Sequence, residues 1–309
     1  MSLSPRLALL LTVPPAMWAG NAVVGRLMVG QVPPLTLNFM RWVLAIALLL
    51  PLGWRVLRRL DLVRERLGYL TLVSLLGVGL YNAMQYLALV STTPINVTLV
   101  ASSGPLWMLL VGMMFFGERP MRRKWLGAAL SLAGVLVVLG RGSWHTLLQV
   151  QFVVGDFYIL VAVVGWSFYS WLLVRPPATM RGDQRPTEEQ GWDWAGMLLL
   201  QALIGSMGAG LLAAGEQWAG APPIAWSGQV MAALLFVSLG ASILAYRSWG
   251  VGVAQAGPAV AAMFANLTPL FAALLSAWLL GDPPHGYHVL AFALIAAGIA
   301  VNAPRRDSD

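Results

Sequence analysis

Ten apolar runs follow one another along the chain, separated by short polar stretches. A helix needs about 17–25 apolar residues to cross the hydrocarbon core of a bilayer, and each run is long enough to do so. The pattern therefore predicts an all-α integral membrane protein with ten transmembrane helices. The predicted spans are residues 7–28, 34–54, 67–90, 94–116, 122–140, 154–174, 193–214, 227–251, 258–280 and 286–303.

The first run also allows a second interpretation. Arg6 followed by an apolar stretch is typical of a secretory signal peptide. Against this, Trp18, Asn21 and Gly25 continue at helical spacing, and no convincing cleavage site follows them. We therefore expect the first run to stay in the membrane as a helix.

The second half of the chain repeats the first at a constant separation of 164 residues. The matched pairs are Pro94 and Pro258, Pro105 and Pro269, Gly117 and Gly281, and Gly134 and Gly298. Chance similarity would not keep proline and glycine in one register, so we infer an internal duplication, which is typical of transporters. The predicted organisation is a five-helix repeat over 1–140, an outer linker over 141–153, a second five-helix repeat over 154–303 and a tail over 304–309.

Composition agrees with a membrane protein. Hydrophobic residues make up 59% of the chain and charged residues 10%, with a mean hydropathy of +0.74. A soluble domain of 309 residues could not bury so much apolar surface. The chain has no cysteine, which excludes disulfides and thiol chemistry.

Basic residues set the predicted orientation, because cytoplasmic loops are enriched in lysine and arginine. Most of the 19 basic residues fall in segments on the same side as the N-terminus, including 55–66, 119–124 and 175–185. Both termini are therefore expected in the cytoplasm, and the net charge of +7 does not indicate nucleic-acid binding. The loop 117–124 is basic and its equivalent 281–288 is not, so we expect the repeats to be inverted.

Sequence motifs of common enzymes and metal sites are absent. None of the three histidines lies near a carboxylate pair at metal-ligand spacing, and no GxSxG, HExxH, phosphate-binding loop or complete GxGxxG occurs. We therefore expect no catalytic residues, no metal and no cofactor. The expected partners are a small-molecule substrate and membrane lipid, and a monomer would suffice for the pathway.

Polar and aromatic side chains within the spans are the candidates for substrate binding, because polar groups are costly to place in lipid. Aromatic rings would supply stacking surfaces and amides would supply hydrogen bonds, which suits a small zwitterion with an apolar side chain. For any one ring the alternative is packing or a place at the membrane interface. The predicted substrate-binding residues are Trp18, Asn21, Arg41, Tyr81, Asn82, Gln85, Tyr86, Asn96, Ser102, Trp107, Trp166, Tyr169 and Asn266.

Arg41 is the strongest single candidate, about a third of the way into the second span. Its guanidinium would hold an anionic group, such as an amino-acid carboxylate, by paired hydrogen bonds. The alternative is a structural arginine that binds carbonyls at a helix end. No aspartate or glutamate lies near the centre of a span, which disfavours a proton-coupled drug pump. One or two buried arginines are too few to favour a nucleotide-sugar exchanger.

Pro105 and Pro269 lie inside the fourth and ninth predicted spans. Each proline removes a backbone hydrogen bond and should kink its helix. The carbonyl groups that such kinks release often line cavities, although a packing role alone is the alternative.

The repeated motif also supports a family assignment. Its residues are Pro94-x-Asn96, Gly104-Pro105 and Gly117-Glu118-Arg119-Pro120, followed by a glycine-spaced apolar helix. This pattern resembles the EamA type of the drug/metabolite transporter superfamily. The resemblance implies ten helices in inverted five-helix repeats and export of metabolites across the bacterial inner membrane. Within the superfamily the chain looks most like the exporters of aromatic amino acids.

These features lead to one main hypothesis. The protein would export aromatic and other apolar amino acids, or similar neutral metabolites, by alternating access and as a facilitator. The alternatives are a proton-coupled drug or nucleotide-sugar exchanger of the same superfamily and an integral membrane enzyme.

Overall fold

The computed structural model describes residues 4–89, 91–92, 94–280 and 285–302, and this part of the chain is helical, without strands. The helices are α1 (Pro5–Leu27), α2 (Pro34–Gly53), α3 (Leu60–Glu65), α4 (Leu67–Ser74), α5 (Tyr81–Leu89), α6 (Pro94–Ser102), α7 (Gly104–Phe115), α8 (Arg122–Leu139), α9 (Trp144–Leu148), α10 (Val154–Val174), α11 (Trp194–Trp218), α12 (Gly228–Phe236), α13 (Ala245–Ala256), α14 (Pro258–Ala265), α15 (Thr268–Leu280) and α16 (Gly286–Asn302).

Seven helical stretches among the described residues are long and apolar enough to cross a membrane. The helices α6 and α7, which meet at an angle of 41°, form an eighth span if they are counted together. Helix α16 is apolar but has 17 residues, and α8 begins with the basic residues Arg122, Arg123 and Lys124. The protein is therefore a multi-pass helical membrane protein, while ten spans in inverted repeats stays a prediction.

Both predicted kink positions lie beside helix breaks. Helix α6 ends at Ser102, and α7 begins at Gly104 with Pro105 in its first turn. Helix α14 ends at Ala265, and Pro269 occupies the first turn of α15. A proline is tolerated there because the first N–H groups of a helix have no acceptor within it. The repeated region Gly281-Asp282-Pro283 lies outside the described residues.

Two wider turns also lie at equivalent positions of the halves. Residues 75–80 join α4 to α5 as a π-helical segment, and residues 237–244 join α12 to α13 in the same way. The segments end at Leu80 and Leu244, which match in the repeat register found for the prolines. π-Helical turns are frequent at functional sites. The two π-helical segments are therefore candidates for functional positions.

Equivalent helices of the two halves make equivalent contacts. Helix α8 packs along α16, and α2 packs along α11, so each of these helices meets its own counterpart. Helix α1 packs against α13 and α15, while α10 makes the corresponding contacts with α5 and α7. The duplication in the sequence therefore extends to the packing.

The contact between α8 and α16 requires glycine. A Cβ atom on Gly134 would lie 2.7 Å from the carbonyl oxygen of Ala291, and one on Gly298 would lie 2.6 Å from that of Gly127. Small residues allow membrane helices to approach this closely. Gly134 and Gly298 are a matched pair of the repeat. The repeated glycine therefore allows the same close helix contact in both halves.

A carboxylate of α11 caps the start of α2. Glu216 accepts hydrogen bonds from the backbone N–H groups of Leu35 at 3.0 Å and Thr36 at 2.7 Å, and from the Thr36 hydroxyl at 2.8 Å. An acceptor at this position satisfies free N–H groups and complements the helix dipole. Glu216 thus fixes the beginning of the helix that carries Arg41.

The segment 175–192, which joins α10 to α11, is in part packed against the helices. Arg66 is 7% exposed and donates hydrogen bonds to the carbonyl oxygens of Thr179 at 3.0 Å and Gln184 at 2.8 Å. The ring of Trp192 is buried beneath it, 5.7 Å from the guanidinium carbon. Arg66 therefore anchors this connection between α10 and α11 to the first half of the chain.

Candidate substrate site

Trp166 on α10 is the centre of a group of six aromatic residues from α1, α5, α10 and α13, called here the aromatic cluster. Measured between ring centroids, the members around Trp166 are Tyr169 at 4.9 Å, Trp249 at 5.4 Å, Trp18 at 5.5 Å, Tyr246 at 5.5 Å and Tyr81 at 5.8 Å. Several of these pairs are edge to face, the arrangement that the charge distribution of aromatic rings favours. The cluster joins helices of both halves of the chain.

Hydrogen bonds fix the buried members of the aromatic cluster. The Tyr169 hydroxyl donates to Gln201 Oε1 at 3.1 Å, and Trp249 Nε1 donates to Ser170 Oγ at 3.1 Å. Tyr169 and Trp249 are buried, whereas Trp18, Tyr81 and Trp166 are only partly buried. The cluster therefore combines fixed, buried rings with rings that are only partly buried.

Tyr246 connects the aromatic cluster to the opposite half of the protein. It follows the π-helical segment 237–244, and its hydroxyl donates to the carbonyl oxygen of Gly77 at 2.7 Å. Gly77 lies inside the equivalent π-helical segment 75–80. The two distorted segments are thus joined by one buried hydrogen bond.

Arg41 on α2 is a buried cation without a protein counter-charge in the described residues. The residue is 5% exposed, and its Nε atom is buried without a hydrogen-bond partner. Its guanidinium carbon lies 5.1 Å from the centroid of the Trp42 ring. The Arg41 carbonyl, by contrast, accepts a hydrogen bond from Ser238 Oγ at 3.0 Å, so the backbone is held while the charged group is not.

Two neighbours on the same face of α2 are also incompletely paired. Asn38 Oδ1 and Trp42 Nε1 are buried and have no hydrogen-bond partner within the described part of the chain. Buried polar atoms are normally hydrogen-bonded, so these three residues on one turn leave hydrogen-bonding capacity unused. The Trp42 ring stands edge-on to Tyr246, with centroids 5.3 Å apart, so this polar face adjoins the aromatic cluster.

The other predicted residues of α1 and α5 have less defined roles. Asn82 is buried and donates a long hydrogen bond of 3.4 Å to the carbonyl of Val78. Asn21 and Gln85 are partly buried. The side chain of Tyr86 lies outside the described residues.

Asn96 lies in a separate hydrogen-bond network at the start of α10. Its Nδ2 atom donates to the carbonyl oxygen of Gln151 at 2.8 Å and to Asp156 Oδ2 at 2.9 Å. The buried Asp156 carboxylate also accepts hydrogen bonds from Val153 N at 2.7 Å and from the Thr92 hydroxyl. Because these groups cap α10, the structure places Asn96 apart from the aromatic cluster.

Ser102 and Asn266 meet each other where the helices of the two halves break. Asn266 Nδ2 donates to the carbonyl oxygen of Ser102 at 3.1 Å and to Ser131 Oγ at 2.9 Å. The two residues are equivalents in the repeat. Trp107 packs against a hydrophobic group of Ala88, Val97, Ile159 and Val163 and has no ring contact with the aromatic cluster among the described residues. The structure therefore does not bring these three predicted residues into the aromatic cluster.

Tyr246 and Trp249 belong to the aromatic cluster but are not among the predicted substrate-binding residues. In the repeat register they match Asn82 and Gln85, both of which were chosen. The register therefore contained the necessary signal, but the exchange of amide for aromatic side chains concealed it.

The duplicated helical packing is typical of membrane transport proteins. The chain belongs to the EamA-like transporter family, whose family model matches residues 6–140 and 153–303. This match confirms the family that the repeated motif indicated.

Relatives extend over most of the chain. An uncharacterized transporter of Archaeoglobus fulgidus is 24% identical, over 96% of this chain and 97% of its own. The uncharacterized inner membrane transporter YedA of Escherichia coli K12 is 26% identical, over 92% and 86%. The aromatic amino acid exporter YddG of Ancylobacter novellus is 26% identical, over 73% and 72%. A solved crystal structure with 22% identity superposes with a TM-score of 0.72 over 96% of this chain and 97% of its own, which shows a shared fold.

We predict that Tyr246→Phe lowers the stability of the detergent-solubilised protein by about 1 kcal/mol, because the buried hydrogen bond to Gly77 is lost. Thermal unfolding followed by intrinsic fluorescence would measure the change. Tyr158→Phe is the matched control, since the Tyr158 hydroxyl makes no hydrogen bond to any described residue. Equal melting temperatures for the two variants would show that the Tyr246 bond does not hold the halves together.

Proposed function

We propose that the protein exports aromatic and other apolar amino acids, or similar neutral metabolites, by alternating access across a bacterial inner membrane. The observation that carries this proposal is the buried Arg41 guanidinium beside the aromatic cluster, without an ion pair in the described residues. An amino acid would supply both missing elements, a carboxylate for the cation and an apolar side chain for the rings.

Electrostatics favours an anionic group at Arg41. Arginine keeps its proton in proteins, and a buried charge is costly unless it is paired. A carboxylate can accept two parallel hydrogen bonds from a guanidinium, which is the strongest neutralising contact available to it. Asn38, one turn away with its Oδ1 unpaired, would accept a hydrogen bond from the ammonium group of the same ligand.

The aromatic cluster would select the side chain of the substrate. The partly open rings of Trp18, Tyr81 and Trp166 offer flat apolar surfaces of the kind that bury aromatic groups. Trp42 and Tyr246 connect these rings to Arg41 through edge-on contact. The name of the relative YddG, an aromatic amino acid exporter, agrees with this selectivity.

In alternating access, the two repeats would move relative to each other. In this proposal two inverted five-helix repeats, with their boundaries as predicted above, rock around the site near the middle of the membrane. The excess of basic residues in 55–66, 119–124 and 175–185 supports cytoplasmic termini. The relative YedA is named as an inner membrane transporter, which supports the same location here.

We predict that Arg41→Gln lowers the flux of labelled phenylalanine into proteoliposomes by about 10- to 100-fold, the range expected for a lost charged hydrogen bond. Arg247→Gln is the matched control, because its guanidinium stacks over Trp194 at 4.2 Å, away from the cluster. The wild-type protein should also transport phenylalanine in preference to phenethylamine, which lacks the carboxylate. Normal flux through folded Arg41→Gln protein would refute the substrate role of Arg41, and chemical turnover without flux would indicate an enzyme.

We predict that the same flux equilibrates across the membrane and does not depend on a pH gradient, as for a facilitator. The physical reason is that no aspartate or glutamate lies near the centre of a predicted span to exchange a proton for substrate. Uptake would be measured with equal and with unequal pH on the two sides. Accumulation only with the gradient would instead support the proton-coupled alternative.

A further inference from the structure

A cavity lies apart from the aromatic cluster, at the end of the helices that borders the basic loop 117–124. Its volume is about 220 Å³, and it is enclosed by parts of α7, α8, α10, α13 and α14. The lining groups that matter chemically are Glu118, Lys124 and Arg175, with Leu109, Trp171 and Val260 on the apolar side.

The charged groups of this cavity are of both signs. Arg175 Nη2 donates to Glu118 Oε1 at 2.8 Å, and the two side chains are 53% and 27% exposed. The Lys124 side chain makes no ion pair with any described residue. An exposed pair of this kind contributes little to stability, so a ligand can replace it at small cost.

The apolar wall of the cavity is fixed in place. Trp171 is 6% exposed, and its Nε1 atom donates to the carbonyl oxygen of Met108 at 2.7 Å. The Phe116 ring stacks on it, with centroids 5.5 Å apart and planes 20° apart. A Cβ atom on Gly112 would collide with the same indole, so the ring has little freedom to move. The cavity therefore presents a preformed apolar surface beside both kinds of charge.

We propose that this cavity is a second binding site, which takes a zwitterionic apolar amino acid on the cytoplasmic side before it reaches Arg41. This inference rests on the proposed function and orientation. Glu118 would pair with the ammonium group, Arg175 and Lys124 with the carboxylate, and the apolar wall would contact the side chain. Binding exchanges the Glu118–Arg175 contact for three ion pairs with the ligand.

The chemistry of the cavity favours a small zwitterion over other ligands. A purely anionic ligand would meet Glu118 as a like charge, and a purely cationic one would meet Lys124 and Arg175. Pockets for drug-sized ligands have volumes of about 300–1,000 Å³, so this cavity suits a smaller molecule. An amino acid satisfies both the size and the charges.

The test compares the two sides of the membrane in proteoliposomes with uniformly oriented protein. For labelled phenylalanine offered on the side of Glu118, we expect the KM to rise about tenfold in Glu118→Gln and in Arg175→Gln, the effect of one lost charged contact. The KM from the opposite side should stay unchanged. Arg181→Gln is the matched control, since Arg181 is an exposed arginine of the same connection and does not line the cavity.

Competing ligands that lack one charged group test the roles of Glu118 and Arg175 separately. Glu118→Gln should reduce the preference of this side for phenylalanine over 3-phenylpropionate, which lacks the ammonium group. Arg175→Gln should reduce the preference over phenethylamine, which lacks the carboxylate. A general loss of folded protein would not change the preference for one competitor in one variant and for the other competitor in the other variant. Unchanged preferences and KM values in both variants would overturn the second site.

Direct binding distinguishes failure of this inference from failure of the proposed function. Equilibrium dialysis of labelled phenylalanine with the detergent-solubilised protein needs no transport. If the wild-type protein moves no phenylalanine but binds it, weakened binding in Arg175→Gln and not in Arg41→Gln would still support the second site. Wild-type flux with unaltered variants refutes the second site alone, and a wild-type protein that neither binds nor moves phenylalanine refutes both.

Discussion

The permanent positive charge of Arg41 is the constraint on which the site depends. It is held in a nearly dry position where the described protein offers it the face of Trp42 and no carboxylate. Buried charges destabilise a fold unless something offsets them, so the position favours any state in which an anion is bound. Through Trp42 and Tyr246 the same residue adjoins the aromatic cluster, as the proposed binding of an anionic group and an apolar group requires.

Two of the polar contacts between the halves lie where helices are irregular. Tyr246 bonds to Gly77 between the π-helical segments, and Asn266 bonds to Ser102 between the broken helices. Such irregular backbone has carbonyl groups available for exchange between partners. In contrast, the glycine-dependent contact of α8 with α16 is close and regular. In the proposed transport cycle we expect movement at the irregular positions, with the α8–α16 pair as a fixed element.

Much of the fold follows from features that are local in the sequence. Apolar runs, the repeated proline and glycine positions and the Gly117-Glu118-Arg119-Pro120 motif are enough to predict a helical, duplicated transporter and its family. The count of spans is less certain from length alone, because α16 is short and α8 begins with three basic residues.

The site was predicted in part, for a physical reason. Trp18, Tyr81, Trp166 and Tyr169 meet because helical spacing already placed them on inward faces. The role of Asn96 depends on Asp156, a residue of another helix, and only tertiary structure brings the two together. Local patterns identify which side chains are unusual for a membrane span, but they do not identify the partners of those side chains.

The most direct measurement is an experimental structure of the protein with bound 4-bromophenylalanine, in which the bromine marks the ring. The account predicts the ligand carboxylate within hydrogen-bond distance of the Arg41 guanidinium and the brominated ring against Trp166. A ligand whose carboxylate lies away from Arg41, with Arg41 paired instead to a protein or lipid group, would contradict it.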